Sequence, residues 1–568
     1  MADSVAFDKV TSAARHLDSD LSSSSIVTSS RPVRVDEYAD ELEDGRDEDA
    51  LLNKSSTTRL SRQHDRDNDD DKLDEKHGRS RSRASSIQFD FAANVLVQPS
   101  DDSTSSYTGS RRRNGAVAEP IGIPAGIALI VGMQIGSGIF SSPGLVGAQT
   151  GAVGSALLCW LGAGLLSWAG ASSFCELGTA LPLNGGAQAY LDAAFGPLPA
   201  YCFSFTAVTA LKPGSQAIIS IIFGEYICRL LYHTAFSPDP DDAARDVPAV
   251  AIKLTGIVAL VAVSAIQAWS AKAGTRAQLV LTVFKVFALV LVIVNGIVFL
   301  GLGRAASTFS FQDTSSAPAS YALALFSALW TFDGWDQANY VGRDCKPGTL
   351  PTIINSSMSL VLILFICANV AYFLVLDFAT ATATSTIGLD FGRAMAGPAG
   401  GIIFSLIVAV SCFGALNGSL YTSSRLIVAA GEQGFLPRLF AQYNDRQETP
   451  INSIILSSTL SVIFVALGDF GHLTLFYGVA AWFWYLMVIV GLFVLRVREP
   501  NLKRPYRTWL PTPILFASTA LFLIVLSIFS KPWESFAAFI FCAAGAVPYY
   551  IQQRASRQDT KTVTLEMR

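Results

Sequence analysis

The chain has 568 residues and a formal charge of −4; about half of it is apolar (51%) and 15% is charged, too little charge to cover a soluble protein of this size. The charge is also uneven, with acidic runs at 36–49 and 65–75 and long later stretches almost free of it, so the net value says nothing about partners. No basic face mixed with aromatics suggests nucleic acid.

Residues 1–119 are rich in Ser, Asp and Arg and poor in large hydrophobes. Such a segment buries too little apolar area to offset the entropy of ordering, and the expectation is a disordered cytoplasmic tail. No apolar core follows Met1, so the start does not read as a signal peptide. Phosphorylation around 79–86 and ubiquitin attachment at Lys54, Lys72 or Lys76 are functional readings of the tail; a solvated tail without specific role is the other.

From Pro120 the character changes, and 120–552 is expected to form an integral membrane domain. Apolar runs long enough to cross a hydrocarbon core of about 30 Å recur near 121–146, 154–180, 198–232, 250–269, 279–302 and 321–341. Six more follow near 353–376, 400–429, 451–467, 473–494, 510–529 and 533–551. The fold class is therefore all-α, with about twelve transmembrane helices and a short tail at 553–568. Lys and Arg fall mainly in the even-numbered connections: Lys272 and Arg276, Arg343 and Lys346, Arg438 and Arg446, then Arg496 to Arg507. The opposite connections are acidic or nearly neutral except for Arg245, Arg304 and Arg393, which places both termini in the cytoplasm.

Two spans carry interruptions. The first runs through Gly136, Ser137 and Gly138 and then Pro143. Glycine lowers the cost of leaving helical geometry, so this span is a candidate broken helix, whose freed amides would hold a carboxylate and freed carbonyls an ammonium. Close packing by small residues is the alternative. In the sixth span Asp333, Gly334 and Asp336 interrupt an apolar run, and membrane carboxylates mark a substrate or ion path by default. Broken helices 1 and 6 lie five spans apart, the spacing of an inverted five-plus-five repeat with a midplane site.

These segments resemble the amino acid–polyamine–organocation superfamily and, within it, the L-type amino-acid transporters. The resemblance covers about 120–551. It rests on Gly136 to Phe140, on Cys175 to Gly178, on Lys212 to Ile218 and on Gly334 and Trp335 with Asn339 to Val341. Ser411 to Ser419, Ser423 to Arg425 and Arg498 to Pro505 complete it. The long Ser/Asp-rich tail looks more like a fungal, methionine-permease-like member. The resemblance implies that backbone around Ile135, Gly136, Ser137, Gly138 and Ile139 holds the amino and carboxylate groups of an amino acid. Leu329, Trp330, Thr331 and Phe332 would complete the ammonium site, with Trp330 closing over the substrate as an outer gate. Lys285 matches a family lysine whose ammonium takes the place of sodium; a snorkelling side chain is its other reading. Ser411, Cys412 and Asn417 would face the unwound segments.

Asp333 departs from the family pattern, which has a small residue there. It would read a cationic side chain or carry a proton, or else cap the inner half-helix. Glu225 and Arg229, four apart on one helix face, would pair, and neither they nor Glu176 has an expected role in transport. The loop after the third span (233–247) contains no cysteine, so no disulfide-linked heavy chain is expected. Cys159, Cys202, Cys228, Cys367, Cys412 and Cys542 lie in apolar runs, Cys345 in a cytoplasmic connection, and the five histidines are scattered, so neither a disulfide framework nor a metal site is expected. No nucleophile triad or Walker loop is present, which argues against an enzyme, a cofactor or an ATP-driven pump. The reading is sodium-independent secondary transport of amino acids, large and neutral, methionine included, by alternating access in the plasma membrane. The alternatives are a cationic amino-acid or polyamine carrier and an amino-acid receptor signalling through its tail.

Overall fold

The computed structural model describes residues 120–232, 247–384, 386–444, 447–468 and 470–554. The tail over 1–119 with its modification sites, the segment 233–246 and nearly all of 553–568 lie outside the described residues.

Among the described residues all regular structure is helical apart from two isolated bridges. It begins with α1 (Ile123–Gln134), α2 (Ser142–Thr150), α3 (Val153–Ala180), α4 (Ala187–Phe195), α5 (Pro197–Thr206), α6 (Lys212–Leu231), α7 (Ala249–Trp269) and α8 (Ala271–Gly301). It continues with α9 (Pro318–Thr331), α10 (Leu350–Val375), α11 (Phe378–Ala383), α12 (Ile387–Glu432), α13 (Ile451–Leu467), α14 (Phe470–Arg498), α15 (Pro511–Ser530) and α16 (Pro532–Ala544). Proline stands in the first turn of α1, α2, α5, α9, α10, α15 and α16, where its missing N–H is no loss and its fixed φ suits the helix. Ten segments are long and apolar enough to cross a bilayer. The remaining two of the twelve expected are α9, which stops at an interruption, and α13, whose 17 residues reach about 26 Å.

Three local differences from the expectation have physical causes. The fifth span begins at Ala271 directly after an extended Ser270, so Lys272 and Arg276 lie in the first turns of α8 rather than in a loop. The eighth span, α12, starts at Ile387 and bends at Ala396 and Gly397, whose dihedrals are non-helical just ahead of Pro398. Between α5 and α6 a π-helical segment (Ala207–Leu211) precedes Pro213, whose ring lacks an N–H for the α-helical ladder.

Burial separates central from peripheral helices. The first span is 72% buried, whereas α7 is 22% buried and exposes Val250, Leu254, Val258 and Val261. Apolar side chains facing outward are what a lipid environment requires. Loop contacts sort the connections into two faces. At one, the Ile121 N–H donates to the Asp344 carbonyl (2.8 Å), the Gly185 N–H to that of Tyr340 (3.1 Å), Thr449 Oγ1 to that of Ala268 (3.0 Å) and Gln552 Nε2 to that of Gly434 (2.5 Å). At the other, the Ser315 N–H meets the Thr150 carbonyl (2.9 Å) and the Ala306 N–H that of Leu374 (2.9 Å). Both described ends of the chain, Ile121 and Gln552, therefore sit on the face of the even-numbered connections.

Candidate functional site

α1 ends at Gln134 because the chain turns out of helical geometry at Ile135 (φ −76°, ψ 71°). In a continuous helix the Gly136 N–H would reach the Gly132 carbonyl; it donates instead to the Gln134 carbonyl (2.8 Å). The orphaned Gly132 oxygen receives Lys285 Nζ at 2.5 Å. Lys285 is fully buried, and the missing side chain of Gly414 on α12 makes room for it: a Cβ there would stand 2.7 Å from Lys285 Cε. A lysine buried this completely, with Nζ on a helix carbonyl, does not reach an interface, so the snorkelling alternative does not hold. Thr282 Oγ1 (3.0 Å) and Gln278 Nε2 (3.3 Å) add two more donors from α8 to the Ala128 carbonyl.

Past the break, Ile135 and Gly136 offer their carbonyls to Ser411 Oγ (3.1 and 3.2 Å). Among the described residues nothing accepts from the amides of Ser137 and Gly138. These amides open the short helical turn Gly138–Phe140, which also contains Ile139 and leads into α2.

The second interruption follows the same logic. α9 ends at Thr331; the Phe332 N–H still reaches the Ala328 carbonyl (3.2 Å), but the Asp333 N–H shifts to that of Trp330 (3.1 Å) and leaves the Leu329 oxygen without its helical donor. Gly334 has φ +105°, a region open essentially to glycine alone, and the chain resumes in the turn Gln337–Tyr340. The two breaks touch. A Cβ on Gly334 would stand 2.6 Å from Met133 Cγ, and one on Gly138 2.8 Å from Thr331 Cγ2. Gln134 Nε2 donates to the Phe332 carbonyl at 2.7 Å across the junction.

The site residues from the first and sixth spans thus converge, joined by Ser411, with Cys412 buried beside it in α12. Asn417 does not belong to this group. Its amide is engaged by Gln267 (2.7 Å), Gln278 (2.9 Å) and the Gly274 carbonyl (3.1 Å), a polar knot tying α12 to α7 and α8. The expectation that it faces the breaks is corrected.

Asp333 does not cap a helix either. Its carboxylate accepts the hydroxyls of Tyr477 and Tyr485 (2.9 Å for the latter), both on α14. Sequence reasoning passed over both tyrosines. Their one signal is two hydroxyl-bearing rings eight apart along an apolar span, hence on neighbouring positions of one helix stripe. Trp330 is half-buried, and with Asp333 it lines two cavities of about 30 and 20 Å³. Each is the size for one or two waters. Among the described residues no group of His, Cys, Asp or Glu could hold a metal.

Two interrupted helices meeting at a buried junction in a multi-spanning helical protein are an arrangement suited to membrane transport. The amino acid permease family profile matches residues 121–546, and the chain belongs to that family. It is 34% identical over 464 residues to the mouse protein "b(0,+)-type amino acid transporter 1", covering 80% of this chain and 93% of that one. It is 32% identical to the human "Cystine/glutamate transporter" (75% and 83%) and 30% identical to the mouse "Large neutral amino acids transporter small subunit 2" (76% and 81%). The protein is an amino-acid transporter and not an enzyme.

Proposed function

We propose that this protein carries large α-amino acids by sodium-independent, secondary active alternating access, with both termini in the cytoplasm and the plasma membrane as its site. The carrying observation is the junction of the two breaks. The unengaged amides of Ser137 and Gly138 suit a carboxylate, and the Leu329 carbonyl, left without its helical donor at the end of α9, suits an ammonium. Lys285 on the Gly132 carbonyl supports the absence of a sodium step, because a fixed cation already neutralises that helix end. One relative is named a transporter of large neutral amino acids, in keeping with a large neutral substrate such as methionine. The cysteine-free segment at 233–247 supports function without a covalently attached heavy chain.

A cationic side chain is the second reading, favoured by one observation: the Asp333 carboxylate borders both cavities. Two tyrosine hydroxyls fix its orientation and leave lone pairs for a guanidinium or ammonium. Competition for labelled leucine and labelled arginine, each by the unlabelled amino acid and by its own decarboxylated amine, tests both. An α-amino-acid site requires the α-carboxylate, so the decarboxylated compound competes poorly; equal competition would overturn the proposal in favour of a polyamine-type site.

A further inference from the structure

Below the junction of the breaks, towards the face that carries Arg496 to Arg507, α3 and α14 are joined at two contacts. The first contact is aromatic. Trp335, just past Gly334, sits 4.9 Å from both Phe174 of α3 and Tyr485 of α14, and 5.8 Å from Phe516 of α15. The second adjoins it, two residues further along α3 and eleven further along α14. There Glu176 of α3, its side chain fully buried, takes Arg496 Nε at 2.9 Å and the second Arg496 nitrogen at 2.5 Å. The Thr508 N–H donates to the same carboxylate at 2.8 Å, and Arg504 stands 3.5 Å from it.

The strap 499–510 is folded over this pair. Thr508 Oγ1 donates to the Ser172 carbonyl (2.7 Å), Ser172 Oγ bonds the Tyr506 hydroxyl (2.8 Å), and Arg504 donates to the carbonyls of Leu495 and Glu499 (2.9 and 3.1 Å). A buried carboxylate without partners is costly, so Glu176 holds α3 and α14 together only while its donors surround it. Beside an opening aqueous vestibule, water replaces those donors and the pair separates at modest cost.

We propose that Glu176 and Arg496 form a latch that closes the inner route and stabilises the inward-closed state, with the Phe174–Trp335–Tyr485 stack as the plug behind it. This rests on the transport reading. Within it, Glu176 and Arg496 act on which side the site faces and do not touch substrate.

The test uses the full chain in oriented proteoliposomes, with leucine and arginine as probes. In Glu176→Gln the bidentate ion pair is lost and the inward-open state gains population. The apparent KM for uptake from the outer side rises about tenfold while that from the inner side falls. Arg496→Lys, which keeps the charge but not the fork, shifts both in the same directions by about threefold and serves if the first variant fails to fold. Equal changes on the two sides, or none, would overturn the latch. A second readout needs no substrate. Hydrogen–deuterium exchange in Glu176→Gln is expected to quicken about tenfold both in 499–510 and in 332–341, where the plug sits. Faster exchange confined to 499–510 would mark a local joint and overturn the latch. Wild-type protein that carries neither probe while Glu176→Gln still loosens 332–341 would count against the transport reading alone.

Discussion

Replacing Gly334 by alanine tests whether the sixth span must break where it does. The new Cβ would stand 2.6 Å from Met133 Cγ and 3.1 Å from Met133 Cβ, inside van der Waals contact, at a residue with φ +105°. Strain of a non-glycine residue in such a region costs about 1–3 kcal/mol, and overpacking a close helix contact adds about 1–3 kcal/mol. The sum, about 2–6 kcal/mol, is a large share of the total stability of an ordinary domain. The alternative to that cost is for the end of α9 to rotate away from Met133, which would pull Phe332 from Gln134 and Asp333 from its two tyrosines. Thermal unfolding of the solubilised protein and uptake in the same preparation check this. Gly334→Ala is expected to lower the unfolding temperature and abolish most uptake. Gly162→Ala in α3, where nothing lies within 4 Å of the added atom, should leave both unchanged. A Gly334→Ala protein as stable and active as wild type would refute the picture of two breaks in backbone contact.

Asp333→Asn keeps the acceptor for one tyrosine but loses the charge, so arginine uptake should fall at least about tenfold while leucine uptake changes less than about threefold; equal losses for both would remove Asp333 from side-chain selection. Lys285→Met leaves the Gly132 carbonyl without its donor, a cost of about 1–3 kcal/mol, and uptake should drop about tenfold with the protein still folded; full uptake would show that the ammonium is dispensable. In the connection after the sixth span, burial, with the charge of Asp344 beside it, pushes the Cys345 thiol up to about 12. Its thiolate is scarce at pH 7.5 and grows tenfold per pH unit, so mass-spectrometric maleimide labelling should be slow and rise about tenfold between pH 7.5 and 8.5. A rate that levels off near pH 8.5 would contradict that environment.

Much of this architecture was legible because bilayers demand long apolar runs and because glycine clusters stand out within them. Gly136, Gly138 and Gly334 announced the breaks, and Lys285 announced itself by being charged where charge is costly. Long-range partners were not legible. Asp333 and Tyr485 are 152 residues apart, and Glu176 and Arg496 are 320 apart; periodicity within one helix says nothing about which side chain of another it meets. Asn417 shows the converse limit. The resemblance implied the same place for it as for Ser411 on α12, but it points to Gln267 and Gln278 instead. Where the periodic pattern had no competing local signal, at α4, α11 and the bend after Ala396, the elements emerged only in three dimensions.

The most direct test is uptake of a panel of labelled amino acids by cells lacking their own permeases, with sodium and with choline in its place, at two pH values. Saturable uptake of a large α-amino acid, unchanged when sodium is removed, is the predicted result. Well-expressed surface protein that shows neither uptake nor exchange after preloading, or uptake that requires sodium, would contradict the account.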